Sequence, residues 1–550
     1  MIPRALVACL LLIFTGVYRF NTLGGSLGGF DNDHFVSFAY AKQVQAGEQP
    51  LQDFAGLNLQ GAWPSLTYEI SAFAQQRFGD NLRSEAIIAV AGVSLAAAFT
   101  FLTASLLAPI GWAALATVLS VFMAPTLYNY PKVLVLSAAS LLMVLYAQRP
   151  SPRAIAVSAL LTAAAFLFRH DLAVYAAVGT LMACVAAERS VRALTTVALY
   201  VALTLALLAP SLWYVHRHEG LVRYVQAGMD MSRREVARTD LEEWPQFTVP
   251  TAGLDVAGFF NVEANSLAWL YYMAHLLPFA VGFAVWRGTL ESGRPAAGRA
   301  ALAIAGMTAF SVPLLVRNNP AVRLADVGPL VAVGTAVACH ALWRRRAGEA
   351  RWGRVIRPAL LVVLLAGTVL STTAVGVVQH QLAVSGLTES PVRVGRRTAH
   401  VWDELGALPA ESLVQPVSEG PLAVSQYLNA CTAPADRVVM MAYQPDILPL
   451  AGRMFGAGRL SIIPGFALLE YHQRELVGWW RQQRVPVVLV EYQELSEPGS
   501  STAPIVTEYL LANYKPIGAF TLSGDRTLQV FGRQDAQMGV RRSDGLPCLR

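Results

Sequence analysis

Long apolar runs recur along the first two thirds of the chain, separated by short polar segments, and each approaches the roughly 20 residues that an α-helix needs to cross a bilayer. Eleven runs can be marked, at 5–22, 86–108, 110–127, 133–147, 154–168, 172–187, 193–215, 266–286, 300–316, 327–343 and 358–378. The first has no small-x-small cleavage site before Tyr18-Arg19-Phe20, so it is expected to remain as a helix rather than to be removed as a signal. From about residue 380 the pattern changes to short β-branched runs alternating with amphipathic stretches. Residues 437–443, 485–491 and 527–532 read as buried strands, and 471–484 and 504–514 as helices. The segment Ser496-Glu497-Pro498-Gly499-Ser500 reads as a loop, and no fixed-period repeat is present. The predicted fold is a polytopic α-helical membrane domain over 1–379, with about 11 transmembrane helices, followed by an α/β domain over 380–550.

Composition agrees with this reading. Hydrophobic residues make up 55% of the chain and charged residues only 14%, with a mean hydropathy of +0.44, so a bilayer is the implied solvent. The net charge of +6 and pI near 9.1 would suit a nucleic-acid partner, but the basic residues fall in short clusters between apolar runs instead of along one polar face. Membrane topology accounts for them. Alternating the spans from a cytoplasmic N-terminus puts Arg4, Arg149, Arg153, Arg189, Arg192, Arg287, Arg294, Arg299 and the cluster from Arg344 to Arg357 on the inner side, as the positive-inside rule requires. Segments 21–85, 128–132, 169–171, 216–265 and 317–326, and everything after 380, then lie outside. The expected location is the inner (cytoplasmic) membrane, multi-pass, with the C-terminal domain extracytoplasmic.

Five cysteines are too few and too scattered for a disulfide framework or a zinc site, and Cys9, Cys184 and Cys339 sit inside apolar runs. Cys431 and Cys548 both lie in the polar C-terminal region and could pair in an oxidising compartment, although spacing alone does not say whether they meet. The chain contains no Gly-x-x-x-x-Gly-Lys-Ser/Thr, Gly-x-Ser-x-Gly, His-Glu-x-x-His or Cys-x-x-Cys, which removes the usual supports for ATP-driven transport, serine hydrolysis and zinc proteolysis.

Chemistry concentrates on the outer side. The loop after the first run carries Asp31-Asn32-Asp33-His34-Phe35, then Gly47 to Phe54 with Asp53, then Trp63-Pro64-Ser65-Leu66. A carboxylate held beside apolar surface can act as a general base towards a hydroxyl or amine acceptor. Asp31 and Asp33 equally suit the N-terminus of an amphipathic helix over 35–45, and a capping role for one leaves the other available. A second outer patch combines Tyr128-Asn129-Tyr130-Pro131-Lys132 with Arg169-His170-Asp171, and a third runs from Arg317 through Arg323 to Asp326. Cations there can neutralise a departing lipid phosphate, or simply snorkel from helix ends; Arg323 and Asp326 can also form a local pair. The charged segment 216–243 has an imperfect apolar face and suits an interfacial helix.

On these residues the chain resembles the GT-C superfamily of membrane glycosyltransferases, which includes protein O-mannosyltransferases and the aminoarabinose transferase of lipid A. Asp31-Asn32-Asp33-His34-Phe35 resembles the Asp-Glu-x-His-Phe form of the first-loop motif, and Trp63-Pro64-Ser65-Leu66 stands where a Pro-Pro-Leu motif would be. Two positions depart from the pattern, Asn32 for the Glu and Ser65 for the second Pro. The resemblance implies an inverting transfer of a sugar from a polyprenyl-phosphate donor to a lipid, glycan or protein acceptor. It implies Asp31 as base, with Asp33 as the alternative that Asn32 opens. Lys132, Arg169, Arg317 and Arg323 would hold the donor phosphate, with His34, Asp53, Tyr130, His170 and Asp171 as further contacts to donor or acceptor. No cofactor is required; an acidic loop of this kind also suits Mg or Mn. Competing readings are a flippase for lipid-linked saccharides, which would place its ionisable residues at the bilayer midplane, and an O-antigen polymerase or ligase, which would not be expected to carry this acidic loop.

Overall fold

The computed structural model describes residues 3–24, 29–30, 32–55, 66–188, 190–239, 244–248, 256–288, 295–316, 320–344, 353–463, 468–491, 503–524, 526–536, 538–541 and 546–549. Each of the eleven apolar runs is a helix. Among the described residues nine are long and apolar enough to cross a membrane: Arg4–Asn21, Leu82–Leu107, Leu127–Gln148, His170–Ala187, Val191–His218, Glu263–Trp286, Ala296–Leu315, Pro320–Trp343 and Val355–Val375. Ile110–Phe122 and Pro152–Phe168 are shorter apolar helices. The protein is a multi-pass membrane protein, mostly helical, with a mixed α/β region towards its C-terminus. The run read as 110–127 stops at Phe122: Ala124 takes a positive φ of 49°, Pro125 follows, and a 3-10 turn at Leu127–Asn129 leads into Tyr130–Gln148. Pro125 has no N–H to continue the ladder and disfavours helical backbone in the residue before it, so an apolar composition there does not make a helix.

The chain packs into two compact units. One comprises Met1–Thr22, Ala89–Tyr214 and Met229–Ala399; the other comprises Leu23–Ile88, Val215–Gly228 and His400–Arg550. The first is a helical bundle whose interior is rich in alanine, with Ala139, Ala159, Ala176, Ala274, Ala300 and Ala336 all buried. Small side chains let helix backbones approach closely, which is how helices associate where lipid removes the usual hydrophobic driving force. Leu160, Leu205, Phe279 and Val362 stay more than half exposed on these helices, the apolar outer surface that a bilayer would cover.

The second unit is built on a five-stranded sheet of order β2-β1-β3-β5-β4, where β1 is Arg437–Met441, β2 Met454–Phe455, β3 Val487–Glu491, β4 Tyr514–Ser523 and β5 Arg526–Arg533. β1 runs parallel to β2 and β3; β3–β5 and β5–β4 are antiparallel. Every residue of β3 is buried, because the strand alternates between two cores. Val438, Met440, Val487 and Leu489 face one, and Val439, Met441, Val488 and Val490 face the other. A strand covered on both faces reads as a continuous apolar run, which is how these two segments stand out in the sequence. β4 does not stand out: it carries Pro516 and Gly518, and it is tolerated because it occupies the sheet edge with an irregularity between those two residues. Helices at Pro391–Ala407 and Gly420–Cys431 are further elements of the polar region that periodicity did not mark.

The stretch read as an amphipathic helix over 35–45 is a helix, Asn32–Gln45, but not a surface one. Phe35, Phe38, Tyr40, Ala41 and Gln43 are all buried, and Val36, Ala39 and Tyr40 join the first sheet core with Phe54, Tyr68, Tyr427 and Phe455. Its aromatic residues cover more than one face, so the helix is enclosed by the α/β unit rather than lying on it. Cys431, at the end of Gly420–Cys431, is disulfide-bonded to Cys548 in the strand Pro547–Leu549, and the neighbouring Tyr427 hydroxyl donates to the Pro547 carbonyl at 2.8 Å. These contacts tie the last strand to the helix on that face.

Candidate functional site

In the α/β unit, Asp33 lies in the first turn of Asn32–Gln45, where the helix dipole favours a carboxylate. Its Oδ1 accepts a hydrogen bond from the hydroxyl of Tyr443, which leaves the C-terminal end of β1. Asp33 is half-buried, so it keeps a face to solvent while one oxygen is fixed. His34, next to it, is buried; its ring meets Phe30 edge-to-face at 4.6 Å, and it lies within electrostatic range of Glu85. Glu85 accepts from Ser71 Oγ and, at 3.1 Å, from Gln75 Nε2.

The second acidic stretch of the loop is occupied locally. Asp53 Oδ2 accepts from the Gln49 N–H at 2.8 Å, closing a turn, and Glu48 forms an ion pair with Arg437. Arg437 also donates to Gln43 Oε1 at 3.0 Å, and Gln43 Nε2 donates to the Phe455 carbonyl at 3.1 Å. Burial holds the Glu48 carboxyl above its ordinary value, with Arg437 opposing. This ties the loop to the start of β1. Asp31 and the Trp63-Pro64-Ser65 motif lie outside the described residues, as does Arg317.

The helical unit gathers the cationic candidates. Lys132 Nζ donates to Asp326 Oδ2 at 2.8 Å, with the lysine side chain 3% and the aspartate 0% exposed. Arg323 approaches the same oxygen at 3.6 Å from one helical turn away. Arg169 is paired with Asp171 through two parallel bonds, Nε to Oδ1 at 2.6 Å and Nη2 to Oδ2. Lys132 feels both Arg169 and Arg323, and Arg169 feels Asp326, so three segments far apart in sequence share one electrostatic site. Three cations stand against two carboxylates. The Asp326 pairing is no exposed ion pair of small value: taking these charges out of water is costly, and only mutual attraction with further hydrogen bonds offsets it. Asp326 Oδ1 is buried with no hydrogen-bond partner, so the hub of the cluster keeps one acceptor in reserve.

The two other residues named for this patch are placed by aromatic packing. Tyr130 is buried, edge-to-face with Phe168 at 6.3 Å and seated over Gly92, where an added Cβ would come within 2.5 Å of its ring. His170 opens its helix with its ring 4.5 Å from Phe166. Among the described residues no three His, Cys, Asp or Glu side chains gather closely enough to hold a metal ion. The sequence singled out Lys132, Arg169, Asp171 and Arg323 because they interrupt apolar runs. Asp326 stands out in the sequence only as a neighbour of Arg323, and Tyr443 carries no signal at all.

No protein-family model matches the chain, and no characterised protein matches it in sequence. Among solved structures it is similar to an oligosaccharyltransferase from Archaeoglobus fulgidus tethered with an acceptor peptide containing the NVT sequon, at 12% identity over 96% of this chain and 74% of that one, with a TM-score of 0.42. A structure of the same archaeal enzyme with an inhibitory peptide and a dolichol-phosphate aligns at 12% identity over 98% and 75%, with a TM-score of 0.39. ArnT from Cupriavidus metallidurans bound to undecaprenyl phosphate aligns at 13% identity over 96% and 97%, with a TM-score of 0.45. Each of these alignments covers most of the chain.

Proposed function

We propose that this protein is an inverting glycosyltransferase that moves a sugar from a polyprenyl-phosphate carrier to an acceptor at the outer face of the inner (cytoplasmic) membrane. The observation that carries the reading is the Lys132–Arg169–Arg323 cluster around Asp326 and Asp171 in an otherwise apolar helical unit. Ionisable groups in such surroundings are costly to keep, and an excess of cations is what a departing lipid phosphate calls for.

In the proposed reaction, Asp33 or Asp31 takes the proton from an acceptor hydroxyl or amine as that atom forms its bond to the anomeric carbon. The bond from that carbon to the phosphate oxygen breaks on the opposite face, and its electron pair leaves on the phosphate. Lys132, Arg169, Arg323 and Arg317 bind the resulting charge. The Tyr443 hydroxyl fixes one Asp33 oxygen and so orients the other. The Cys431–Cys548 disulfide supports an extracytoplasmic α/β region, because such bonds persist in oxidising compartments. A divalent ion at the acidic loop remains a separate proposal, with Asp33 as one oxygen donor; chelation with EDTA tests it, and no step above runs through such an ion.

The test is transfer by purified protein in liposomes supplied with a panel of undecaprenyl- and dolichyl-phosphate sugars and acceptors. Loss of a general base is expected to lower turnover by about 10²–10⁴-fold in Asp31→Asn or Asp33→Asn. If both variants are folded and transfer sugar at the wild-type rate, the assignment of the base is wrong. Movement of intact donor across the bilayer without transfer would replace this reading with a flippase.

A further inference from the structure

A second charged cluster lies within the α/β unit, built from side chains that the proposed chemistry does not use. Helix Glu470–Gln482 presents Tyr471, Glu475 and Trp479 at i, i+4 and i+8, one face of the helix. Arg459 follows β2 in a tight turn where Ala457 and Gly458 both have positive φ, 54° and 68°. The turn needs glycine at 458 twice over, for its backbone and because the Trp479 ring packs where a Cβ would stand. Glu219 and Arg223 come from a third segment, and the Arg223 guanidinium lies over the Tyr471 ring, 5.5 Å from its centroid. A fourth, the first loop, braces the arrangement through the Trp479 Nε1–H, which donates to the Gln52 carbonyl at 3.2 Å.

Glu219 lies within electrostatic range of Glu475, Arg223 and Arg459, and Glu475 within range of the same two guanidinium groups. Yet among the described residues none of the four side chains makes an ion pair or hydrogen bond with another. Elsewhere in the same unit, opposite charges pair directly, as at Glu48–Arg437, Glu491–Arg526 and Asp436–Arg484. Arg459 Nε is buried with no hydrogen-bond partner, and an unmet buried donor is costly. Two carboxylates and two guanidinium groups with unused acceptors and donors, net neutral and flanked by the rings of Tyr471 and Trp479, have the complement that a neutral polyhydroxylated ring requires. Carboxylates accept from vicinal hydroxyls, guanidinium groups donate to ring and hydroxyl oxygens, and an aromatic face covers the apolar C–H face.

We infer that Glu219, Arg223, Arg459, Tyr471, Glu475 and Trp479 form a binding site for a neutral pyranose ring. In the context of the transferase reading, on which only the identity of the sugar depends, that ring belongs either to the acceptor or to the sugar of the lipid-linked donor. Partial burial, and for Glu219 also the Glu475 carboxylate beside it, hold both carboxyls above their ordinary value, with Arg459 and Arg223 opposing in both cases. The charged and titratable groups that face them are Arg223, Arg459, Tyr471 and, for Glu219, Tyr224, together with the two carboxylates themselves.

The test reads binding rather than turnover. Full-length protein in lipid nanodiscs is examined by saturation-transfer difference NMR with neutral methyl pyranosides, with a polyprenyl-phosphate-linked sugar, and with short peptides. Ring-proton saturation is expected for at least one pyranoside or for the linked sugar, with the apparent Kd rising at least tenfold in Glu475→Gln and in Glu219→Gln. Binding of free pyranosides assigns the site to an acceptor sugar; saturation confined to the linked sugar assigns it to the donor. Glu475 is exposed, so its variant should fold even if Arg459→Met does not. The proposal is overturned if no sugar ring is saturated, if only peptides are, or if sugar binding is the same in wild type, Glu219→Gln and Glu475→Gln. Sugar binding without any transfer activity would sink the transferase reading and leave this site standing.

Discussion

The two charged clusters of this protein contrast in one respect. Around Asp326, in the helical unit, opposite charges are in contact: Lys132 and Asp326 are 2.8 Å apart and fully enclosed. Around Arg459, in the α/β unit, two carboxylates and two guanidinium groups share a field without touching. The first arrangement has already exchanged water for partners, and most of its energy is spent before any ligand arrives. The second leaves its hydrogen-bonding capacity open. A bonded cluster makes a fixed electrostatic platform, whereas an unbonded one is poised to take a ligand that supplies the missing partners.

The most severe way to break the first cluster is Lys132→Met. It strands Asp326 in a buried site, and removing one partner of a buried pair costs about 3–5 kcal/mol. Thermal unfolding in detergent should show that loss, and Lys132→Met with Asp326→Leu should recover most of it, because a well-packed apolar pair is close to neutral. By contrast, Glu475→Gln in the unbonded cluster should change stability by no more than about 0.5 kcal/mol. If the lysine and glutamate variants unfold alike, the distinction between bonded and open clusters has no energetic content.

A covalent bond offers an intermediate case within the α/β unit. Cys431→Ser removes a cross-link between residues 117 apart, and losing a native disulfide typically costs about 2–5 kcal/mol. The unfolding midpoint of this unit should fall in the variant, and dithiothreitol should lower it in wild type but not in Cys431→Ser. Tyr443→Phe should act on rate rather than on stability. The phenol donates to Asp33, but Asp33 keeps a solvent face, so water replaces the lost bond in part and the net cost is about 1 kcal/mol. That corresponds to about a fivefold fall in kcat/KM for sugar transfer. A fall equal to that of Asp33→Asn would mean that the hydroxyl takes part in the chemistry itself.

What the sequence disclosed follows the range of the forces involved. The eleven apolar helices among the described residues are legible because each is a local apolar run, and Lys132, Arg169, Asp171 and Arg323 are legible because charge interrupts such runs. The pairing was not: Lys132 and Asp326 are 194 residues apart, and Asp33 and Tyr443 are 410 apart. Nothing in Tyr443 as a residue type distinguishes a partner of Asp33 from a core phenol. The Asn32–Gln45 helix was legible as a helix but not as part of the sheet's core, since its enclosure depends on residues near Tyr427 and Phe455. β4 is not legible in the sequence, because Pro516 and Gly518 argue against a strand unless its edge position is already known. The open cluster around Arg459 was invisible for a related reason. It is assembled from four distant segments, and its defining property is a set of contacts not made.

That property has a pH signature, the smallest effect expected but one whose sign is fixed. Burial holds the Glu219 and Glu475 carboxyls above their ordinary 4.5 in the folded protein, with Arg459 and Arg223 opposing in both. Between the ordinary value and the raised one, the folded state therefore binds more protons than the unfolded state. Stability then decreases as pH rises through that window, since the slope follows the difference in bound protons. Directly ion-paired carboxylates would give the opposite slope, with stability gained as pH rises. In thermal unfolding across the acidic range, the double variant Glu219→Gln/Glu475→Gln should lose less stability than wild type as pH increases from about 4.5 towards neutrality. Because both carboxylates touch solvent, the difference should be small and should shrink with added salt. A double variant that instead loses more stability than wild type over that range would show that the carboxylates are paired in solution, and the contrast between the two clusters would disappear.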